Sequence, residues 1–145
     1  MKKELTFLTP DHYVVKKSSA GLGLFANLPI KKGQLVIEYI GNRLSEEEAQ
    51  KKGGQYLFEV NSKITIDGTP RWNTARYINH SCKPNCESKI VKKDRVIIKA
   101  IKDIKPGEEL CYDYGEEFVK EYIEGNGKSC KCAHCLKKEV KRIEK

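Results

Sequence analysis

The residues from Asn79 to Cys86 read Asn-His-Ser-Cys-Lys-Pro-Asn-Cys, and Arg76-Tyr77-Ile78 leads into them. Two carboxamides, an imidazole, a hydroxyl and two thiols stand almost side by side there. Such side chains compete for backbone hydrogen bonds, and Pro84 removes a donor, so the stretch is poor helix or strand material. It is expected to be an ordered loop placed for chemistry. Phenols come from elsewhere: Tyr112 and Tyr114 in Glu109-Leu110-Cys111-Tyr112-Asp113-Tyr114-Gly115, and Tyr39 at the end of Leu35–Ile40. Taken singly, each phenol is better explained as an amphipathic core residue than as a site residue. A third chemistry is metal binding. Cys130-Lys131-Cys132-Ala133-His134-Cys135 gathers three thiols, and thiolate sulfur favours tetrahedral zinc. A closed site needs a fourth ligand, for which Cys82 and His134 both stand. Cys86 and Cys111 are expected to be small core residues.

The elements that must position these groups follow from pattern and punctuation. Tyr13-Val14-Val15 opens a β-rich run, and Gly21-Leu22-Gly23 reads as a turn before Leu24-Phe25-Ala26. Leu35–Ile40 is the clearest strand and Gly41 ends it. Ser45-Glu46-Glu47-Glu48 has capping-box spacing, which predicts a short helix to Lys52 before Gly53-Gly54. Residues 56–60 and 64–66 pair as a hairpin around Asn61-Ser62, and 89–91 with 95–98 as another around Lys92-Lys93-Asp94. Pro106-Gly107 turns the chain into Glu109–Tyr112. Many short strands with one or two short helices make a mostly-β, α+β fold of small sheets.

Composition bounds the rest. At 145 residues the chain fits one domain, and 33% charged against 39% hydrophobic residues excludes a disordered or membrane-embedded chain. No apolar run approaches the ~20 residues of a membrane span, and the run after Met1-Lys2-Lys3 is too short for a signal peptide. A cytoplasmic or nuclear address follows, where six cysteines argue for metal before disulfides. The net charge of +8 is unevenly spread. Glu108, Glu109, Asp113, Glu116, Glu117, Glu121 and Glu124 face Lys120 alone, a stretch suited to a cationic substrate, whereas the basic remainder suits nucleic-acid contact; solvated faces explain both equally well. The Gly21-Leu22-Gly23 pair lacks the third glycine and the helix of a dinucleotide site, so it points to no phosphate cofactor.

The segments Arg76-Tyr77-Ile78-Asn79-His80-Ser81-Cys82 and Glu108-Glu109-Leu110-Cys111-Tyr112-Asp113-Tyr114 together resemble the two signature segments of the SET-domain protein lysine methyltransferases. Gly21-Leu22-Gly23-Leu24-Phe25-Ala26, Glu38-Tyr39-Ile40-Gly41 and the cysteine-rich tail match as well, in the family's order. The resemblance implies a SET fold at 13–117 with a C-terminal pseudoknot, an N-terminal extension at 1–12 and a post-SET zinc-binding tail at 118–145. It implies S-adenosylmethionine as methyl donor, held by Gly21, Leu22, Gly23, Leu24, Tyr56, Arg76, Asn79 and His80. Tyr39 and Tyr114 would line the channel for the target lysine, and Tyr112, where the family carries Phe or Tyr, would limit the product to mono- or dimethyllysine. Zinc would sit on Cys82, Cys130, Cys132 and Cys135, and a histone tail is the leading substrate, host chromatin included. Trp72-Asn73 departs from the family's common Gly-Asn, and Cys132 and Cys135 are more closely spaced than usual. The rivals are a non-catalytic SET-like module binding basic tails or DNA, a zinc-ribbon nucleic-acid module and, weaker, a Cys-His hydrolase.

Overall fold

The computed structural model describes residues 5–19 and 21–115. Three small sheets carry them. The first has four strands in the order β1 (Tyr13–Ser18), β2 (Gly21–Ala26), β10 (Glu109–Tyr112) and β7 (Asn79–His80). The second is β3 (Leu35–Tyr39), β9 (Arg95–Ala100) and β8 (Cys86–Val91). The third is β4 (Asn42–Leu44), β6 (Thr65–Asp67) and β5 (Leu57–Glu59). Neighbours pair antiparallel except β10 with β7, which run parallel with Cys111 opposite Asn79 and Tyr112 opposite His80.

The single described α-helix, α1 (Glu46–Lys52), starts on the reciprocal capping box read from the sequence. Glu48 N–H donates to Ser45 Oγ at 3.2 Å, and Ser45 N–H donates to Glu48 Oε1 at 3.1 Å. Its three leading glutamates complement the positive end of the helix and its two closing lysines the negative end. The two predicted hairpins form as β5–β6 and β8–β9, the latter longer than its apolar core suggested.

The sheets share one core in which Leu24, Ile78, Leu110, Val36, Val96 and Ile98 are each fully buried. Each such side chain contributes about 1.5–3 kcal/mol relative to exposure. Leu24 and Leu110 sit opposite one another in the β2–β10 ladder, so the segment bearing Tyr112 and Tyr114 is anchored one register step away by the core itself.

Two sequence expectations change. Gly21 and Gly23 lie inside β2, not in a turn. For Gly23 the reason is close approach: a Cβ there would meet Glu109 Oε2 at 2.4 Å and Ser18 Cβ at 2.9 Å, whereas Gly21 opens the strand at a φ of 106° with open space around it. The stretch 76–86 is not wholly loop either. Thr74–Tyr77 forms a 3-10 turn and Asn79–His80 a two-residue strand, because β10 supplies parallel backbone partners that local propensity could not reveal. Among the described residues no helix is long and apolar enough to cross a membrane.

Candidate active site

The parallel step between β7 and β10 is where the site assembles. Ser81 N–H donates to the Tyr112 carbonyl at 3.2 Å, and Tyr114 N–H donates to His80 Nδ1 at 3.1 Å. Because Nδ1 accepts that bond, the neutral ring carries its proton on Nε2, which faces Cys82 Sγ at 3.4 Å. Asp113 Oδ1 lies 3.7 Å from Nδ1 on the exposed side. Asn85 secures the other flank of β10: its Nδ2 donates to the Glu109 carbonyl at 2.8 Å and its Oδ1 accepts from Cys111 N–H at 3.0 Å. The asparagine thus acts as a strand edge in miniature.

Three phenols meet beside this seam. The Tyr112 and Tyr114 rings lie 4.8 Å apart between centroids at 54°, and His80 stands 5.5 Å from Tyr114. Tyr39 packs on Phe58 at 5.4 Å. Burial pushes all three phenols above the ordinary range. Secondary pushes come on Tyr114 from Tyr112, Tyr39 and Tyr56, on Tyr112 from Tyr39, and on Tyr39 from the Asp67 carboxylate and Tyr56 against Arg76. All three therefore stay protonated at neutral pH and act as hydrogen-bond groups rather than bases. Two have their protons engaged: Tyr39 Oη donates to the Tyr56 carbonyl at 2.6 Å, and Tyr114 Oη donates to the Ile78 carbonyl. Among the described residues the Tyr112 hydroxyl makes no hydrogen bond.

Next to the phenols lie the residues expected to hold a cofactor. Asn79 Nδ2 donates to the Leu22 carbonyl at 2.9 Å and to Glu109 Oε2 at 2.8 Å, and Ser18 Oγ donates to the same carboxylate at 2.7 Å. The exposed Gly21-Leu22 part of β2 is thereby fixed against β7, while the Leu24 side chain belongs to the core. Arg76 stacks over the Tyr56 ring at 4.2 Å and its Nη1 donates to the Thr69 carbonyl at 2.7 Å. Its Nε is buried with no partner among the described residues. An unpaired buried guanidinium donor is costly, and it fits an acceptor brought by a ligand, such as a carboxylate. The donor set, with Asn79 and an exposed glycine-bearing strand beside it, fits S-adenosylmethionine.

The structure brings Tyr39, Tyr56, Tyr112, Tyr114, Asn79 and His80 together with Arg76 close by. Cys82 is exposed next to His80. Cys130, Cys132, His134 and Cys135, the acids from Glu116 onward and the whole 118–145 tail lie outside the described residues, and among the described ones no group of three metal-ligating side chains converges. Cys86 is buried, and burial, with Cys111 beside it, pushes its thiol up to about 12, which makes it an inert core residue as expected. Sequence reasoning missed Asn85, Asn73 and the Ser18–Glu109 pair as positioning groups. Lone polar residues carry no periodicity, and only the Pro84-Asn85 step hinted at a fixed carboxamide.

Comparison with known proteins identifies the family and the fold. The family described as the SET domain matches residues 21–115, well over half of the chain. An Emericella nidulans protein named histone-lysine N-methyltransferase, H3 lysine-4 specific, is 38% identical over 122 residues, covering 76% of this chain and 10% of its own. Human histone-lysine N-methyltransferase 2D is 40% identical over 117 residues, covering 73% of this chain and 2% of its own. In three dimensions, a chain of the Chaetomium thermophilum polycomb repressive complex 2 superposes with a TM-score of 0.68 at 36% identity, over 73% of this chain and 15% of that one. The chain thus spans at most about a tenth of the curated relatives it matches here. On the family match, the identities and the shared fold, it belongs to the SET-domain family.

Proposed function

We propose that this protein is an S-adenosylmethionine-dependent protein-lysine N-methyltransferase that adds one or two methyl groups to a lysine in a basic, flexible segment such as a histone tail. The observation that carries the reading is the state of the three phenols: all are held protonated, and Tyr112 alone of them keeps its proton off the described backbone.

Bound S-adenosylmethionine supplies an electrophilic methyl group on a positively charged sulfur. The chain has three tasks beside it. First, the target amine must arrive neutral, and with a free lysine pKa of about 10.4 that costs about 4–5 kcal/mol at pH 7. The aromatic cluster of Tyr39, Phe58, Tyr112 and Tyr114 would disfavour the ammonium there by desolvation. Second, the amine must be aimed, which is a matter of position more than of covalent help. Tyr114 points its O–H at the Ile78 carbonyl, so its oxygen presents lone pairs, the right pole for positive charge developing on a transferred carbon. Third, the product must be limited. A Tyr112 hydroxyl that hydrogen-bonds the amine occupies the space a further methyl group would need.

Zinc on Cys82, Cys130, Cys132 and Cys135 would tie the tail to the Asn79–Cys82 segment, and metal analysis of the purified full chain should return one zinc per molecule. Lysines in basic tails point to chromatin in the nucleus as the place of action, with the cytoplasm as the alternative compartment, and the net charge of +8 favours contact with its DNA. The test of the central reading is incubation with methyl-labelled cofactor and histones, read by mass spectrometry. Mono- and dimethyllysine are expected on the histones. Cofactor binding with no label on any lysine would reject catalysis in favour of a binding module.

A further inference from the structure

Tyr39 is held by a closed ring of hydrogen bonds. Its hydroxyl donates to the Tyr56 carbonyl at 2.6 Å, and the same carbonyl accepts from Gly68 N–H at 2.8 Å. The Gly68 carbonyl accepts from Asn73 Nδ2 at 3.1 Å, and Asn73 Oδ1 accepts from the N–H of Ile40 at 3.1 Å. Ile40 follows Tyr39 directly, so the ring starts and ends at the same strand end. It passes through the residue entering β5, the residue leaving β6 and the turn before Thr74–Tyr77. Asn73 closes it with its donor and its acceptor together. That side chain is fully buried, so water does not compete for either bond.

The phenol has little slack within this ring. A Cβ on Gly68 would lie 2.3 Å from Tyr39 Oη and 2.4 Å from its Cζ, so the glycine is the space into which the phenol fits. Phe58 lies tilted against the ring, 5.4 Å between centroids. The Asn73 carbonyl also accepts from Arg76 N–H at 3.1 Å, which joins the ring to the residue stacked on Tyr56.

We propose that Asn73 is a positioning residue that fixes how far the Tyr39 wall stands from Tyr112 and Tyr114, and so how many methyl groups the pocket admits on its lysine. The inference rests on the methyltransferase reading above. Packing alone could hold a tyrosine in place. A ring that returns to the next residue's amide fixes its depth as well. Opening the ring at Asn73 frees the end of β3, lets the phenol retreat and makes room for a methylated amine.

The experiment uses the full chain as Asn73→Ala, with Asn73→Ser as a second variant should the first not fold. Ile104→Val, a core truncation paired with Ile30 outside the ring, serves as control. Without substrate, amide exchange at Ile40 and Gly68 should quicken at least tenfold relative to Ile104→Val, with Leu24 and Leu110 unmoved. Equal exchange at Ile40 and Gly68 in variant and control overturns the ring. With a lysine peptide, the dimethyl fraction at matched total methylation should rise at least threefold in the Asn73 variants and not in the control. An unchanged fraction despite quickened exchange overturns the positioning role and leaves Asn73 a structural residue. A wild-type chain that methylates no lysine would sink the function reading instead, and the exchange data would still decide the ring.

Discussion

The two sides of the tyrosine cluster, the walls of the proposed lysine pocket, are built by opposite means. Tyr112 and Tyr114 ride on or just after β10, which is fixed by ladders to β2 and β7, by Asn85 and by His80. Tyr39 ends an outer strand of another sheet and is held from beyond that sheet, by loop residues tied through Asn73. The first wall is stiff because a strand is stiff. The second is stiff because a buried carboxamide bridges segments far apart in the chain. On the proposed methyltransferase reading, a pocket that aligns an amine on one side and limits its bulk on the other gains from walls that can be altered separately.

The sharpest break in that comparison falls on the β10 wall. Tyr114→Phe removes the oxygen proposed above to face the developing charge and also leaves the Ile78 carbonyl without that donor. Turnover is expected to fall about 100-fold, the scale seen when one aligned polar group is removed from a reacting centre. Cofactor affinity by calorimetry should hold within about twofold, as for an interaction made mainly in the transition state. A parallel loss of both would mean that the phenol holds the fold rather than the reaction.

Asn85→Ala strikes the same wall through its support. It removes the bonds to the Cys111 N–H and the Glu109 carbonyl, both part-buried, at a cost of about 1–3 kcal/mol in all. Thermal unfolding followed by circular dichroism should show a melting point lower by roughly 10 °C, given a few degrees per kcal/mol at this size. A loss no larger than that of an exposed asparagine would show that the ladders alone carry β10.

The pH dependence separates both walls from the substrate. Burial raises all three phenols, so none should ionise between pH 6 and the ordinary tyrosine value of about 10. With every phenol still protonated, kcat/KM should climb with pH as the lysine substrate loses its proton, toward its own pKa of about 10.4. A falling limb below pH 9 that Tyr39→Phe, Tyr112→Phe or Tyr114→Phe removes would mean that a phenol ionises early and that the pocket is wetter than its burial implies.

The walls were also unequally legible. The β10 wall could be read because its residues are adjacent in sequence: Cys111-Tyr112-Asp113-Tyr114 and Asn79-His80-Ser81 announce themselves by type, and Ser45 with Glu48 announced α1 in the same way. On the other wall Tyr39 and its strand could be read, but not what holds them. Its ring joins residues 39, 40, 56, 68 and 73, each ordinary in its own surroundings, and a single sequence holds no trace of which distant carbonyl a buried asparagine will meet. Gly21 and Gly23 misled for a related reason: glycine marks turns and close approach alike, and the Glu109 carboxylate that demands Gly23 lies on another strand.

The smallest effect is expected away from both walls and calibrates the others. The turn joining β8 to β9 places Lys93 at φ 64° and Asp94 at φ 56°, left-handed conformations that strain residues with a Cβ. Arg43 Nη2 holds the Lys93 carbonyl at 2.8 Å and Asn61 Nδ2 meets Asp94 Oδ1 at 3.3 Å, so the turn persists against its own preference. Lys93→Gly keeps the backbone bond from Arg43 and relieves the strain, for a gain of up to about 1 kcal/mol against the entropy glycine adds to the unfolded chain. Denaturant unfolding should therefore show an unchanged or slightly higher midpoint, with turnover and methylation state as in wild type. If this remote change moved the product distribution as far as opening the Tyr39 ring does, stability in general, and not the geometry of either wall, would be setting the outcome of the reaction.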